Sequence, residues 1–237
     1  VKNIFSSDDF KKLCQENNMT FSSANSINIG RLFPQIVYYV TTYVNLRNKG
    51  IIKEGEKFNV VVPTGNFGNI LAGFVAKKLG IPINRFISAS NENNVLSDFF
   101  NTGTYNKERP FYTTNSPSMD ILLSSNFERY LYYVTGENSA RLSELMDNLT
   151  KNNTLSVTKE ELTEIQKEFC GDFATESETV ASIKKVYSES AYLMDPHTAV
   201  GYAVLEKYLE KSGDKTHSVV ISTAHPYKFP YAAAQAL

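Results

Sequence analysis

The residues Val61 to Phe74, VVPTGNFGNILAGF, carry the clearest chemistry in the chain: a β-branched run gives way to a loop of glycines and asparagines and then resumes as an apolar helix. Gly65 and Gly68 can adopt backbone angles closed to other residues, which lets successive N–H groups turn toward one point. At a helix N-terminus those donors also lie at the positive end of the helix dipole, so a phosphate is the natural guest. The spacing is neither GxxxxGK(S/T) nor GxGxxG, so neither a nucleoside-triphosphate loop nor a dinucleotide fingerprint is met. The alternative is a tight strand-to-helix turn that binds nothing.

Other chemistries have less to stand on. His197, His217 and His225 have no metal-ligand spacing, and no GxSxG elbow occurs. Cys14 and Cys170 are far apart with no CxxC, which indicates neither a disulfide framework nor a zinc site and points to a reducing, cytoplasmic setting. The 24 basic and 25 acidic residues nearly cancel, for a net charge of −1, and no basic run marks a nucleic-acid or anionic-membrane face. No apolar stretch approaches the roughly 20 residues that span a bilayer, and no signal-peptide pattern opens the chain, so a soluble protein with a small-molecule ligand is expected.

Several elements must position the glycine loop. With 237 residues and 42% hydrophobic content the chain can bury a sizeable core. FNVVV (58–62) reads as a buried parallel strand, INRFISAS (83–90) as the next and SVVISTA (218–224) as a third. Helices are expected over 7–17, opened by Ser7 with Phe10 and Leu13 at helical spacing, and from Leu32 to about Asn48, with Phe33, Ile36, Val37, Val40 and Val44 as the apolar positions. Another follows the glycine loop, with Ile70, Leu71, Phe74 and Leu79 on one side and Gly80 at its end. Thr158 with Glu161 and Thr175 with Glu178 fit capping boxes, giving helices at about 159–169 and 176–190. Asp195, Pro196 and Gly213 delimit a final long helix. The fold class is α/β: a parallel sheet with helices on both faces, with 1–118 and 192–237 forming a cofactor-binding portion and 119–191 a helical insertion. Ligands of such sheets sit at the carboxyl ends of the strands, where TGNFGN, SNENN and STAH are expected to converge.

PTGNFGNILAGFVAKKLG resembles the cofactor-phosphate loop of the threonine synthase family, enzymes dependent on pyridoxal 5′-phosphate (PLP) with a tryptophan synthase β-like, fold type II architecture. SSANSINIGRLFPQIVYY, SPSMDILLSSNFERYLY, DPHTAVGY and STAHPYKFP resemble the same family in the same order, from about Ser22 to the C-terminus. The resemblance implies a three-layer large-domain portion in which Gly65, Asn66, Phe67, Gly68 and Asn69 cradle the PLP phosphate. Thr223 would meet the pyridine nitrogen with a neutral hydroxyl, which moderates the ring as an electron sink; the alternative is a buried strand-end threonine bonding backbone. Asn25, Ser26 and Arg31 would grip the phosphate of the substrate, O-phospho-L-homoserine, with Asn28 in support and Lys228 as a weaker candidate. Alternatively, the Asn and Ser side chains cap the helix that follows. His225 is expected to border the pocket, His217 to be at the surface, and SSNFERYLYY to pack through Phe127 and Tyr130. Tyr38, Tyr39 and Tyr43 are expected to pack at the core and its boundary, with an interface as the alternative.

The family's Schiff-base lysine, in a Phe-Lys-Asp type context, has no counterpart here, so no catalytic residue is assigned within this chain. Val1 aligns in the middle of the family pattern, which implies a missing N-terminal half as partner (a domain piece, a proteolytic fragment or a split gene) and a chain that alone makes no threonine. Ile29, where a tryptophan is frequent, and Tyr227, where a small residue is common, bear on pocket shape. The rival readings are another fold type II PLP eliminase and a non-catalytic homologue that binds a phosphorylated small molecule.

Overall fold

Residues 7–20 and 25–237 are described by a computed structural model. The stretch Ser22 to Ala24, the start of the second expected anion loop, and Val1 lie outside the described residues. In chain order the elements are α1 (Asp8–Glu16), α2 (Ile29–Leu32), α3 (Ile36–Asn48), β1 (Phe58–Pro63), α4 (Gly68–Lys78), β2 (Ile83–Ser90), α5 (Val95–Thr102), β3 (Thr104–Asn106), α6 (Phe127–Val134) and α7 (Ser139–Asn152). There follow β4 (Thr154–Ser156), α8 (Lys159–Glu168), β5 (Phe169–Phe173), α9 (Glu176–Ser190), α10 (Pro196–Ser212), β6 (Ser218–Val220) and α11 (Pro230–Ala236).

The main sheet runs β5-β2-β1-β6, parallel throughout. β1 is buried at every residue, as expected of a β-branched strand covered on both faces. Its side chains alternate: Phe58, Val60 and Val62 join the core with α4, α5 and α6, whereas Val61 faces Val200, Ala203 and Val204 of α10. The sheet thus lies between two helical layers. Both capping boxes form, Thr158 with Glu161 and Thr175 with Glu178, and Asp195 caps α10 while Gly213 ends it at φ +63°.

The expected helical insertion at 119–191 supplies one strand of this sheet. At the end of α8 the backbone of Phe169 turns extended, and FCGDF pairs along β2 from Phe86↔Phe169 to Ser90↔Phe173. The helical signal before it carries into Phe169, and a short edge strand with a central glycine and an aspartate lacks the apolar run that marks a buried one.

α3 corrects a second expectation. Val37, Val40 and Val44 are exposed, as is Phe33 just before the helix, and the packed positions are Ile36, Tyr39, Tyr43 and Leu46. This helix is apolar on two sides, and an aromatic ring with a polar tip decides which side docks. Tyr39 is fully buried against Gly73 of α4, where a Cβ would come within 2.6 Å of the ring. Phe10, Leu13 and Leu79 are exposed too; Leu79 caps α4 beyond its packed face.

Candidate functional site

The carboxyl end of β1 runs into the loop Thr64–Phe67 and then α4. Thr64 stays in register, its N–H donating to Ala89 O at 2.8 Å. The next five backbone N–H groups, of residues 65–69, donate to no acceptor among the described residues. They line one end of a cavity of about 210 Å³ together with Ser26, Ser118, His197 and Thr223. A cluster of unpaired donors at a helix start is an anion site in waiting.

The glycines do not work as the sequence reading has it. Neither Gly65 nor Gly68 has a positive φ; the left-handed residue is Phe67, at φ +63° and ψ 4°. The glycines are required for space. A Cβ on Gly65 would lie 2.7 Å from the carbonyl oxygen of Ser118, and one on Gly68 would lie 2.6 Å from Cβ of Ser26. Phe67 tolerates its torsion, a cost of roughly 1–2 kcal/mol, because its ring is buried among aromatics. Phe127 packs edge-on at 5.3 Å and Tyr130 at 5.5 Å, with Phe100 and Phe169 both at 6.2 Å. Aromatic pairs of this kind contribute about 0.5–1.5 kcal/mol each beyond burial, so packing outweighs the torsion.

SSNFERYLYY, expected to act in packing, does pack through Phe127 and Tyr130 and also grips the loop. Ser124 Oγ donates to Gly65 O at 2.6 Å, while the backbone N–H and Nδ2 of Asn126 both donate to Asn66 O, at 3.1 and 3.0 Å. The loop's carbonyls are thereby turned back into the protein and its N–H groups outward. On the other side, Tyr39 Oη lies 2.6 Å from Asn69 Oδ1 and 2.9 Å from Asn69 O, and burial pushes this phenol well above its ordinary pKa. Since the amide's oxygen faces Tyr39, its NH2 is aimed away from α3.

A larger cavity of about 680 Å³ adjoins the first and shares Ser26, Asn69 and Thr223 with it; Arg31, Gln35 and Tyr38 are among its other lining residues. The structure therefore brings Ser26, Arg31 and Thr223 up to the glycine loop. Thr223 is exposed beyond the last β6 pairing, Ile221 N to Val61 O, and so is not a buried strand-end threonine. Asn25 and Asn28 line neither cavity: Asn25 Oδ1 accepts from Ile27 N, and Asn28 Oδ1 accepts from Gly30 N as the cap of α2, which is the capping alternative. Lys228, on the turn Pro226–Lys228, and His225 line neither cavity; His217 is exposed.

Of the three strand ends, those of β1 and β6 reach the cavity. The SNENN end of β2 acts behind its wall. Asn91 and Asn93 are buried and donate to Asp120 Oδ1 at 2.7 and 3.1 Å, which pins the segment carrying Ser118 and Met119. The sequence reading missed His197. It is buried, its Nε2 accepts from Ser118 N at 3.2 Å, and its Nδ1 lies 2.9 Å from Asp195 Oδ1. An accepting Nε2 places the ring proton on Nδ1, toward the carboxylate. Burial opposes ionisation of Asp195, but hydrogen bonds from His197 and Thr198 outweigh it and hold the carboxyl below its ordinary value. The available signal was DPHTAV, in which an N-cap Asp stands two residues before a His.

Residues 198–237 match the family model described as "Threonine synthase, C-terminal". That stretch carries the match to the C-terminal portion of threonine synthases. Similarity to threonine synthases extends over the rest of the chain. It is 45% identical over 240 residues to the human protein named threonine synthase-like 1, covering all of this chain and 32% of that protein. To the threonine synthase of Schizosaccharomyces pombe it is 38% identical over 258 residues, covering 49% of that enzyme. The crystal structure of PLP-bound threonine synthase from Brucella melitensis superposes with a TM-score of 0.87 at 40% identity, over 99% of this chain and 48% of that one. The chain thus has the parallel α/β threonine synthase fold and spans about a third to a half of the relatives it matches.

Proposed function

We propose that this chain is the C-terminal part of a PLP-dependent threonine synthase, whose whole enzyme converts O-phospho-L-homoserine and water to L-threonine and phosphate. The observation that carries this reading is the row of unpaired N–H groups at residues 65–69, beside a second cavity that presents Ser26 and Arg31. The first site fits the phosphate of PLP: it is rich in donors, and the absence of a Cβ at positions 65 and 68 lets Ser118 and Ser26, which also line it, close in on the loop. When bound, PLP supplies an electron-withdrawing ring that stabilises negative charge on substrate carbons.

The chain's own residues then have distinct tasks. Gly65, Asn66, Phe67, Gly68 and Asn69 hold the cofactor phosphate through backbone N–H. Thr223 offers its hydroxyl to the pyridine nitrogen. Ser26 and Arg31 bind and orient the substrate phosphate as leaving group, Arg31 through its planar fork of donors. Asn25 supports them by holding the turn at Ile27. The lysine of the family and the rest of the pocket belong to the N-terminal half of the whole enzyme.

The test titrates PLP into this chain by absorbance and fluorescence, and follows phosphate release from O-phospho-L-homoserine by the chain alone and by the whole enzyme. PLP binding by the chain, with phosphate release only in the whole enzyme and lost on Arg31→Ala, supports the reading. Release that survives Arg31→Ala indicates another fold type II eliminase. A second reading, a non-catalytic homologue that binds a phosphorylated ligand, is favoured by one observation: the 45% identical human relative is named only as threonine synthase-like. Binding of both PLP and O-phospho-L-homoserine by the whole protein without phosphate release would establish it.

A further inference from the structure

The substrate-side loop Asn25–Asn28 and the glycine loop are far apart in sequence, yet they touch: Gly68 leaves no room for a Cβ because Ser26 occupies it. One short segment is bonded to both. Ser124 and Asn126 hold the carbonyls of Gly65 and Asn66, as described above. Three residues on, in the first turn of α6, the Arg129 guanidinium turns the other way. Its Nη1 donates to Ser26 O at 2.9 Å and its Nη2 to Ile27 O at 2.6 Å. Nη1 also donates to Asn126 Oδ1 at 2.6 Å, and Asn126 Nδ2 in turn donates to Asn66 O. An unbroken chain of hydrogen bonds thus runs from Ile27 through Arg129 and Asn126 to Asn66.

We infer that Arg129 is a positioning residue that fixes the substrate-phosphate loop relative to the cofactor-phosphate loop. The inference rests on the functional reading above. The carbonyls of Ser26 and Ile27 are held by Arg129, while Ser26 itself lines both cavities. Guanidinium-to-carbonyl bonds are charge-assisted and directional, and the fork reaches two successive carbonyls at once. A lysine can supply the charge but not the planar fork of two separate nitrogens. The two loops therefore act as one unit, with their spacing set by Arg129 and the Ser26–Gly68 contact. Arg129 lines neither of the two cavities, whereas Arg31 lines the larger one, which separates their roles.

The experiment uses the chain and its Arg129→Lys and Arg129→Ala variants. PLP binding is followed by fluorescence, inorganic phosphate is then titrated into the PLP-saturated protein, and amide hydrogen exchange is recorded for 25–31 and 65–71. In the wild type both ligands are expected to bind. Each variant is expected to keep PLP affinity within about 3-fold, to lose roughly 10-fold or more in phosphate affinity, and to exchange faster by a similar factor at 25–31 alone, as loss of charge-assisted bonds implies. Added methylguanidinium is expected to restore phosphate affinity to Arg129→Ala and not to Arg31→Ala, a rescue that general destabilisation would not produce. Arg129→Lys covers the case in which the alanine variant does not fold. Unchanged phosphate affinity and exchange in Arg129→Lys overturn the inference, as does equal loss of PLP and phosphate binding. If the wild type binds no PLP, the functional reading fails, and the exchange pattern alone decides the role of Arg129.

Discussion

Gly65→Ala tests whether the cradle depends on space, as the structure has it, or on glycine torsions. The new Cβ would lie 2.7 Å from the Ser118 carbonyl oxygen, where ordinary contact begins at 3.4 Å, so something must retreat by about 0.7 Å. Ser118 is poorly placed to yield: its N–H is bonded to His197, and its segment is pinned through Asp120 by Asn91 and Asn93. The glycine loop must move instead, against the Ser124 bond to Gly65 O. Crowding of this kind costs about 1–3 kcal/mol, which for a domain of this size lowers Tm by roughly 2–12 °C. The displaced N–H groups lose aim. One charge-assisted bond is worth about 1.5–3 kcal/mol, so PLP affinity should fall by roughly 10- to 100-fold. Thermal unfolding by circular dichroism and PLP titration by fluorescence read the two effects. Gly136→Ala is the control, since Gly136 has φ +66° and open space around it. It is expected to cost about 1 kcal/mol through torsion and to leave PLP binding unchanged. A Gly65→Ala protein that melts within about 1 °C of the wild type and binds PLP within 2-fold would refute the steric account.

Two further perturbations separate packing and charge terms. Phe67→Ala removes the buried ring and should destabilise by about 3–5 kcal/mol, whereas Phe67→Gly also relieves the left-handed torsion and should be at least as stable as the alanine variant. Urea unfolding gives the order, and a markedly less stable glycine variant contradicts the assigned torsion. Asp195→Asn removes a carboxylate that accepts from His197 and Thr198 and should cost about 2–3 kcal/mol at neutral pH. Because the folded state holds Asp195 below its ordinary value of about 3.8, its contribution is full above that pH and disappears as pH falls through the lowered value. Stability of Asp195→Asn should therefore decline less in acid, and parallel acid profiles for the two proteins would contradict the shift.

The parallel sheet and the site's outline were legible in the sequence because both rest on local signals. β-Branched runs mark β1 and β2, capping boxes mark α8 and α9, and the polar ends of β1 and β6 mark the cavity, whereas that of β2 lies behind it. Long-range choices were not legible. α3 presents two apolar sides, and nothing local says that Tyr39 meets Gly73 while Val37 and Val40 stay exposed. β5 has no apolar run of its own and becomes a strand only because β2 offers a partner edge. Asn25 and Asn28 illustrate the same limit at the site, since an asparagine that caps its own turn and one that faces a ligand read alike in sequence.

The glycine loop shows where local reading yields to packing. Its glycines are legible as glycines, but the residue they serve is elsewhere in the chain: Ser118 for Gly65 and Ser26 for Gly68. The torsion assigned to them falls on Phe67, which can bear it because its ring is anchored by Phe100, Phe127, Tyr130 and Phe169 from α5, α6 and β5. The direction of the N–H groups is thus set by an aromatic core on one side and by two close approaches on the other, of the Ser118 carbonyl to Gly65 and of the Ser26 side chain to Gly68. A substitution in that core, with no contact to any ligand, should disturb anion binding as one in the loop does, because the ring of Phe67 is what anchors the loop's left-handed residue.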